Sequence, residues 1–427
     1  MFCQSRSTLV FTVAWLSILA LTARGQDAVT SWPQFRGPDG QGHSAARDVP
    51  WQWSESTSSG SQGIAWKTPL PGRGWSSPVV DGGFVWLTSA LDDGKRLVVL
   101  RINAATGVVD RQIPVFADNK PKSIHQKNSH ASPSLLIDGD RLFAHFGTYG
   151  TACLTRDGDV VWRQKLDYEP QHGPGGSPIL YDDLLILNCD GADVQYVAAL
   201  DKRTGEIRWK TPRAHISEAR RNGEKMPGMA FSTPLLYEDD GVPLVLSAGG
   251  DHLAAYDART GQEIWWSAYD GYSVVPRPVV AQGLVFFSSC YDGPVFYAVR
   301  LGGQGDVTQT HVAWTLAKGA PHSPSPLAVG DELYVVDDGG VATCLDIGSG
   351  KQHWQKRLGG KFSASPLLAG DRIYFTNEEG ETIVLAPGRE YHELARNQVD
   401  GRTLASLAPI DGALFLRTDT HLYRLQN

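Results

Sequence analysis

One unit of four short strands recurs along this chain, and few folds can be built from such a repeat. The stretch from Phe231 to Trp265 shows it most clearly. Residues 232–237 read as a first strand, and a turn at 239–241 leads to a second strand at 244–248. Residues 249–251 turn into a third at 253–257, and 258–261 turn into a fourth at 263–265. Each run is short, β-prone and bounded by Gly or Asp.

The unit opens with a small residue followed by proline: Ser77-Pro78, Ser132-Pro133, Ser177-Pro178, Thr233-Pro234, Ser325-Pro326 and Ser365-Pro366. Arg277-Pro278 carries a long cation in place of the small residue, and Ala408-Pro409 is a degraded copy. Successive prolines lie roughly 40 to 56 residues apart, the period of four-stranded propeller blades. Proline cannot donate to a β ladder, so its return at one strand position needs a strand with a free edge. The innermost strand of a blade has that edge where it faces the central channel. The expected fold is therefore all-β: an eight-bladed β-propeller of four-stranded antiparallel blades. A length of 427 residues does not imply several domains here, because each blade adds its own layer of core against the last.

A second mark closes the unit. Residues 199–209 and 255–265 share the pattern A-x-D-x-x-x-G-x-x-x-W, and residues 344–354 have it with Cys344 for Ala. The Asp can accept bonds from turn amides, the Gly can take φ > 0 in a tight hairpin, and the Trp can lie over the neighbouring blade. On these residues the chain resembles the tryptophan-docking repeat of the pyrroloquinoline-quinone (PQQ) repeat propellers. That family includes quinoprotein dehydrogenases and the non-catalytic propeller subunit of the outer-membrane protein assembly machinery, and this chain is closest in type to the latter. The resemblance covers nearly all of the chain from Trp66 onward, with blades one, two, five and seven keeping part of the motif.

The eighth repeat has only three strands before Asn427, and residues 63–66 have the spacing of the missing outer strand. The expected closure is N-terminal strand donation, which removes an exposed sheet edge. Three regions follow: 1–25 as a secretory signal, 26–62 as an N-terminal extension and connector, and 63–427 as the propeller. The signal reading rests on Arg6, the apolar run 9–21 and the small residues Ala23 and Gly25. A retained anchor is the alternative, although the run is short for a membrane span. The mature chain is expected in a periplasm or outside the cell, as a monomer with no membrane span. The motif from Trp32 to Gly42 is similar to an N-terminal segment of secreted PQQ-like proteins; its aromatics are expected to pack on the propeller, with a binding role for Arg36 as the alternative. Residues 44–62 read as a loop or mobile connector.

The formal charge is −7, and losing Arg6 and Arg24 with the signal takes it to −9. Such a chain is not expected to bind nucleic acid or anionic membranes. Cys153, Cys189, Cys290 and Cys344 are expected as free, mostly buried thiols, because the repeat places them apart; a disulfide pair is the alternative.

The sequence carries no G-x-S-x-G, H-E-x-x-H or P-loop pattern. The quinoprotein resemblance implies a cation, a catalytic carboxylate and a wall made by a disulfide between adjacent cysteines, but the chain has no adjacent cysteine pair. Asp190, Asp292, Asp337, Asp338 and Glu378 collect at second-strand turns, where hairpin chemistry alone accounts for such residues. No catalytic, cofactor or metal residues and no cofactor are therefore assigned. Two long connections, 114–129 with Lys120, Lys122, His125 and Lys127, and 211–229 with Arg213, His215, Arg220, Arg221 and Lys225, make one face locally basic. Solvated charge on variable loops is the plainer reading of both.

Ligand binding is placed at the channel mouth on that face, at Trp75, His130, His172, Phe231, Tyr272, Arg277, His322 and Lys361. A mixture of aromatic, imidazole and cationic groups suits a peptide or an anionic small molecule. The alternative is that these residues fill the mouth and order its water. The function expected is a non-catalytic scaffold of the cell envelope that binds protein or peptide, with outer-membrane protein assembly as its leading form. A quinone-dependent oxidoreductase and a carbohydrate-binding module are the alternatives.

Overall fold

Short apolar runs separated by Gly and Asp turns fold each repeat back on itself, so nearly every strand pairs antiparallel with its sequence neighbour. The computed structural model describes Met1 and residues 28–55, 62–169, 171–215, 220–221, 224–225, 228–289 and 293–427. Blade one consists of Val79–Asp81, Phe84–Leu91, Arg96–Asn103 and Val109–Ala117. The inner strands of blades two to seven are Leu136–Asp138, Ile179–Tyr181, Leu235–Asp239, Val279–Ala281, Leu327–Val329 and Leu367–Ala369. Blade eight contributes Ala408–Ile410, Ala413–Arg417 and His421–Leu425. Its fourth strand is Ile64–Pro69, paired antiparallel with His421–Leu425. The result is an eight-bladed propeller closed by an N-terminal strand.

The core lies between consecutive sheets. Trp86, Leu97 and Val99 of blade one, for example, share a cluster with Leu142, Ala144 and Ala152 of blade two. Outer-strand tryptophans cross the same boundaries. The indole N–H of Trp209 donates to Ala258 O of the next blade at 3.1 Å, and the Trp209 ring lies against Gly261, whose φ of 72° no larger residue would hold there without strain. Trp162, Trp314 and Trp66 make the equivalent bonds to Lys202, Ile347 and Ala104. Trp265 differs. It is fully buried with its indole nitrogen unpaired, because blade five replaces the receiving turn with a longer excursion whose Gly305–Asp306 strand pairs parallel with Trp265 and Trp266.

Two repeat marks sit out of frame. Counting back two residues from each inner strand gives Ser134 in blade two and Ser406 in blade eight, each followed by leucine. Ser132-Pro133 and Ala408-Pro409 are thus displaced by two residues from the repeat position. Pro409 is accepted inside its strand because that strand is the inner, edge strand of its blade.

The N-terminal segment runs through the channel and bonds to the free edges of inner strands. Trp32 exchanges backbone bonds with Val80, Pro33 O accepts from Ile137 N–H, and Gly42 O accepts from Leu368 N–H. Gln41 Oε1 accepts from Val280 N–H at 2.7 Å, and the His43 ring bonds Ala328 O at 2.6 Å. Edge groups that would otherwise need water are thereby paired. Over residues 44–55 the expected connector is packed onto the ring: Ala46, Val49 and Trp53 are buried, and Trp53 N–H donates to Asn397 Oδ1. Apart from Met1, the expected signal peptide lies outside the described residues. Among the described residues no helix is long and apolar enough to cross a membrane.

Cys153, Cys189 and Cys344 are free and buried, and burial pushes each thiol's pKa up; Cys290 lies outside the described residues. Arg213, read from sequence as part of a basic surface loop, is instead wholly buried against Asp190. His215 from the same connection stacks on Trp266 with ring centroids 4.0 Å apart. The side chains of Arg220, Arg221 and Lys225, and all of Asp292, lie outside the described residues.

His145 gives the fold a dependence on pH. Its ring is buried, with Nδ1 bonded to Thr151 Oγ1 at 2.9 Å and Nε2 to Tyr168 OH at 3.1 Å. Burial opposes the imidazolium and lowers the pKa to about 4. The unfolded chain therefore takes up a proton that the folded chain refuses, and stability falls as the pH drops from the ordinary histidine value through the folded one. We expect His145→Gln to remove roughly 2 to 3 kcal/mol of the stability difference between about pH 7 and pH 4.5. Urea denaturation of both proteins at the two pH values checks this, and an unchanged difference would assign the acid sensitivity elsewhere.

Candidate functional site

A belt of hydroxyls surrounds the channel at the place where the inner strands begin. Ser77 N–H donates to Ser134 Oγ, Ser134 N–H to Ser177 Oγ and Ser177 N–H to Thr233 Oγ1, each at 2.9 Å. Arg277 N–H donates to Ser325 Oγ at 2.9 Å, and Ser325, Ser365 and Ser406 pass the series on at 3.0 Å to close it at Ser77 Oγ. Every bond joins one blade to the next. The belt is interrupted where Arg277 replaces the hydroxyl.

Above the belt the channel opens into a cup of about 450 Å³, and all seven belt hydroxyl residues line it. Phe35 of the N-terminal segment also lines the cup and forms its floor. Behind this floor Arg277 Nη1–H donates to Phe35 O at 2.8 Å, and Arg36 Nη2–H donates to Gln41 O at 2.6 Å and Pro326 O at 2.7 Å. The Arg277 guanidinium lies so close to Gly40 that no side chain fits at that position. Burial, then the charge of Arg277, lowers the Arg36 pKa to about 9, and burial lowers that of Arg277 to about 10; both remain cations at neutral pH.

One wall of the cup is a run of rings. His125 meets His172 edge-on with centroids 5.6 Å apart, and His172 faces Phe231 at 6.3 Å. Trp75 and Tyr272 line the cup as well. Lys127, on the connection between blades one and two, crosses the mouth to blades six and seven, where its Nζ stands 3.1 Å from Glu378 and 3.5 Å from Asp338. Burial acts to raise the Glu378 pKa, but hydrogen bonds from Ser363 and Arg402, with the Lys127 charge, outweigh it and hold the carboxyl below its usual range.

Of the residues expected at the mouth, Trp75, His172, Phe231 and Tyr272 are brought together in the cup. The other four do not line it. His130 is buried edge-on against the Tyr149 ring, at 5.8 Å between centroids. His322 is held at its backbone N–H by Asp338, Lys361 is exposed, and Arg277 turns behind the floor instead of into the channel. Counting upstream of a proline misplaces His130 because Pro133 is out of frame with its inner strand, whereas Arg277, directly before its proline, is drawn out of the channel by its bond to Phe35 O. Phe35, His125, Lys127 and the belt hydroxyls were missed as site residues. His125 and Lys127 had a signal in the basic loop 114–129, and five of the seven belt residues had one in the small residue before a proline; Ser134 and Ser406, out of frame with their prolines, had none.

The repeat-family model described as outer membrane protein assembly factor BamB matches residues 56–177, 193–324 and 302–420. The chain belongs to this PQQ-repeat propeller family. Among solved structures, BamB from Moraxella catarrhalis is 15% identical, with 85% of this chain and 99% of that one covered at a TM-score of 0.59. Quinohemoprotein alcohol dehydrogenase from Comamonas testosteroni is 12% identical, with 93% and 80% covered at 0.65. The computationally designed Ika8 protein is 11% identical, with 84% and 99% covered at 0.57. At these identities the likenesses show the fold alone. No curated protein matches the chain.

Membership of a PQQ-repeat family raises the question of a quinone held with a cation. The donor set does not fit one. Asp338 and Glu378 at the rim are already neutralised by Lys127, and Glu378 by Arg402 at 2.8 Å as well. Asp190 is closed inside its pair with Arg213, and Asp337 Oδ1 accepts from Val341 N–H in a turn. Among the described residues no group of three or more His, Cys, Asp or Glu is placed to hold a metal ion.

Proposed function

We propose that this chain is a binding propeller of the cell envelope, on the periplasmic or extracellular side, whose cup accepts a segment of a partner protein. The observation that carries this reading is the cup. Its own N-terminal segment crosses the channel, bonded to inner strands of blades one, two and seven, and Phe35 of that segment lines the cup, an arrangement that favours a binding site over a conduit. Aromatic walls beside hydroxyl donors suit a peptide side chain with a polar neighbour. Family membership with the assembly-factor propellers supports a scaffold role in which partners are proteins. The oxidoreductase alternative is weakened by the rim carboxylates, which are paired with cations. Mixing the purified protein with PQQ and calcium should therefore leave its absorbance equal to the sum of the parts.

A photo-crosslinking residue introduced at Tyr272 should capture a partner from the native envelope. Phe231→Ala should then weaken that partner by about 1 kcal/mol or more, because it removes a ring from the cup wall. Unchanged affinity in a folded Phe231→Ala protein, with cross-links mapping to the outer rim, would move the site away from the channel.

A further inference from the structure

We propose that the base of the cup is a carboxylate site, taking the terminal or side-chain carboxylate of the peptide segment; this rests on reading the cup as a binding site. The first observation is the direction of the belt. Each of its seven hydroxyl oxygens accepts a backbone N–H from the preceding blade, so the lone pair facing that blade is used and the hydroxyl proton is left to donate. Among the described residues none of the seven has a protein acceptor for that proton. A ring of donors thus converges on the channel axis, each polarised by the N–H it receives.

The second observation is independent of the belt. Arg36 and Arg277 are both 2% exposed behind the floor, and among the described residues neither forms an ion pair. Arg36 Nε and Nη1 and Arg277 Nε are buried without an acceptor. Two adjacent buried cations are costly, and a negative group held in the cup would offset part of that cost across a medium of low dielectric. Asp39, itself 3.5 Å from His43, compensates them only at a distance.

The same geometry selects among anions. The base presents neutral hydroxyls, with the guanidiniums behind Phe35, and Lys127 at the mouth is engaged by Asp338 and Glu378. This arrangement suits a planar monoanion better than a phosphate dianion, which calls for direct cation contacts. The ring-lined wall adds apolar surface next to the donors, as an amino-acid residue needs and a free inorganic ion does not.

The test is calorimetric titration of the full mature chain with N-acetylphenylalanine and, separately, with its neutral amide. The acid should bind about tenfold tighter than the amide, the value of a hydrogen-bonded charge. Arg277→Met should abolish most of that preference. Should Arg277→Met fail to fold, Ser177→Ala removes one donor and should reduce the acid's affinity by about threefold and the amide's by less, because the charged acceptor gains more from the same hydroxyl. Equal binding of acid and amide, both lost in Phe231→Ala, would overturn the carboxylate site and leave the binding function standing. Tighter binding of inorganic phosphate than of the acid would overturn the assignment to a peptide carboxylate. No binding of either probe, together with partner cross-links outside the cup, would overturn both readings.

Discussion

Replacing Trp66 by alanine should destabilise the whole propeller by about 2 to 4 kcal/mol, at the lower side of a buried-tryptophan truncation because the ring is only half-buried. The residue lies at the one boundary where the two ends of the chain meet. Its ring packs on Phe415 at 6.0 Å between centroids and against Gly107, and its N–H donates to Ala104 O at 3.2 Å. Thr68 on the same strand donates to Gly107 O at 2.7 Å. Loosening this strand exposes the edge of His421–Leu425, whose unpaired groups then offer a template to another molecule. Trp209→Ala removes a chemically similar contact within the continuous chain and serves as the control. Both variants should lose stability in urea, but Trp66→Ala alone should form larger species on size-exclusion chromatography. If the two behave alike, strand donation contributes no more than any other blade contact.

Asp190→Ala should cost about 3 to 5 kcal/mol, because it strands a buried guanidinium without its counter-ion. Arg213 Nε and Nη2 donate to the two Asp190 oxygens at 2.6 and 2.9 Å, and both side chains are 0% exposed. Nη2 also donates to Ser247 Oγ at 2.7 Å, and Ser247 passes a bond to Asn188 Oδ1, so blades three and four share one polar network. Burial pulls the Arg213 pKa down, but the Asp190 charge outweighs it and holds the guanidinium protonated. The double variant Asp190→Leu with Arg213→Met should recover most of the loss, since it removes both buried charges at similar volume. Guanidinium denaturation of the three proteins decides it. A single variant as stable as the parent would mean that water or another group has taken the place of Asp190.

The repeat itself was open to reading from residues alone. Strand-and-turn alternation is a local property, and so is the Asp that accepts from turn amides in the fourth blade, where Asp257 Oδ1 takes the N–H groups of Arg259 and Thr260. Eight such units, together with a spare strand at residues 63–66, leave a closed ring as the consistent solution. The candidate site was half legible. Residues just before inner strands, such as Phe231, reach the cup because the strand start carries them there. His130 and His322 do not, and sequence distance could not tell them from His172 and Tyr272, which line the cup from seven residues before their inner strands.

What the amino-acid order determined by itself is therefore the blade and its number of copies, set by hydrogen bonding between neighbours in sequence and by the period of the apolar residues, and the way the ring closes, set by a last repeat one strand short and a spare strand near the start. Tertiary structure alone decided which polar groups are buried and what they meet. Arg213 looked like a surface cation until the fold brought Asp190 within 2.6 Å of it. Arg277 looked like a channel cation until Phe35, 242 residues earlier in the chain, closed the floor above it. Lys127 looked solvated until the ring carried Glu378 and Asp338 to the far side of its own mouth. Charge pairing across such separations depends on distance in space, and distance in space is fixed only when the last blade meets the first.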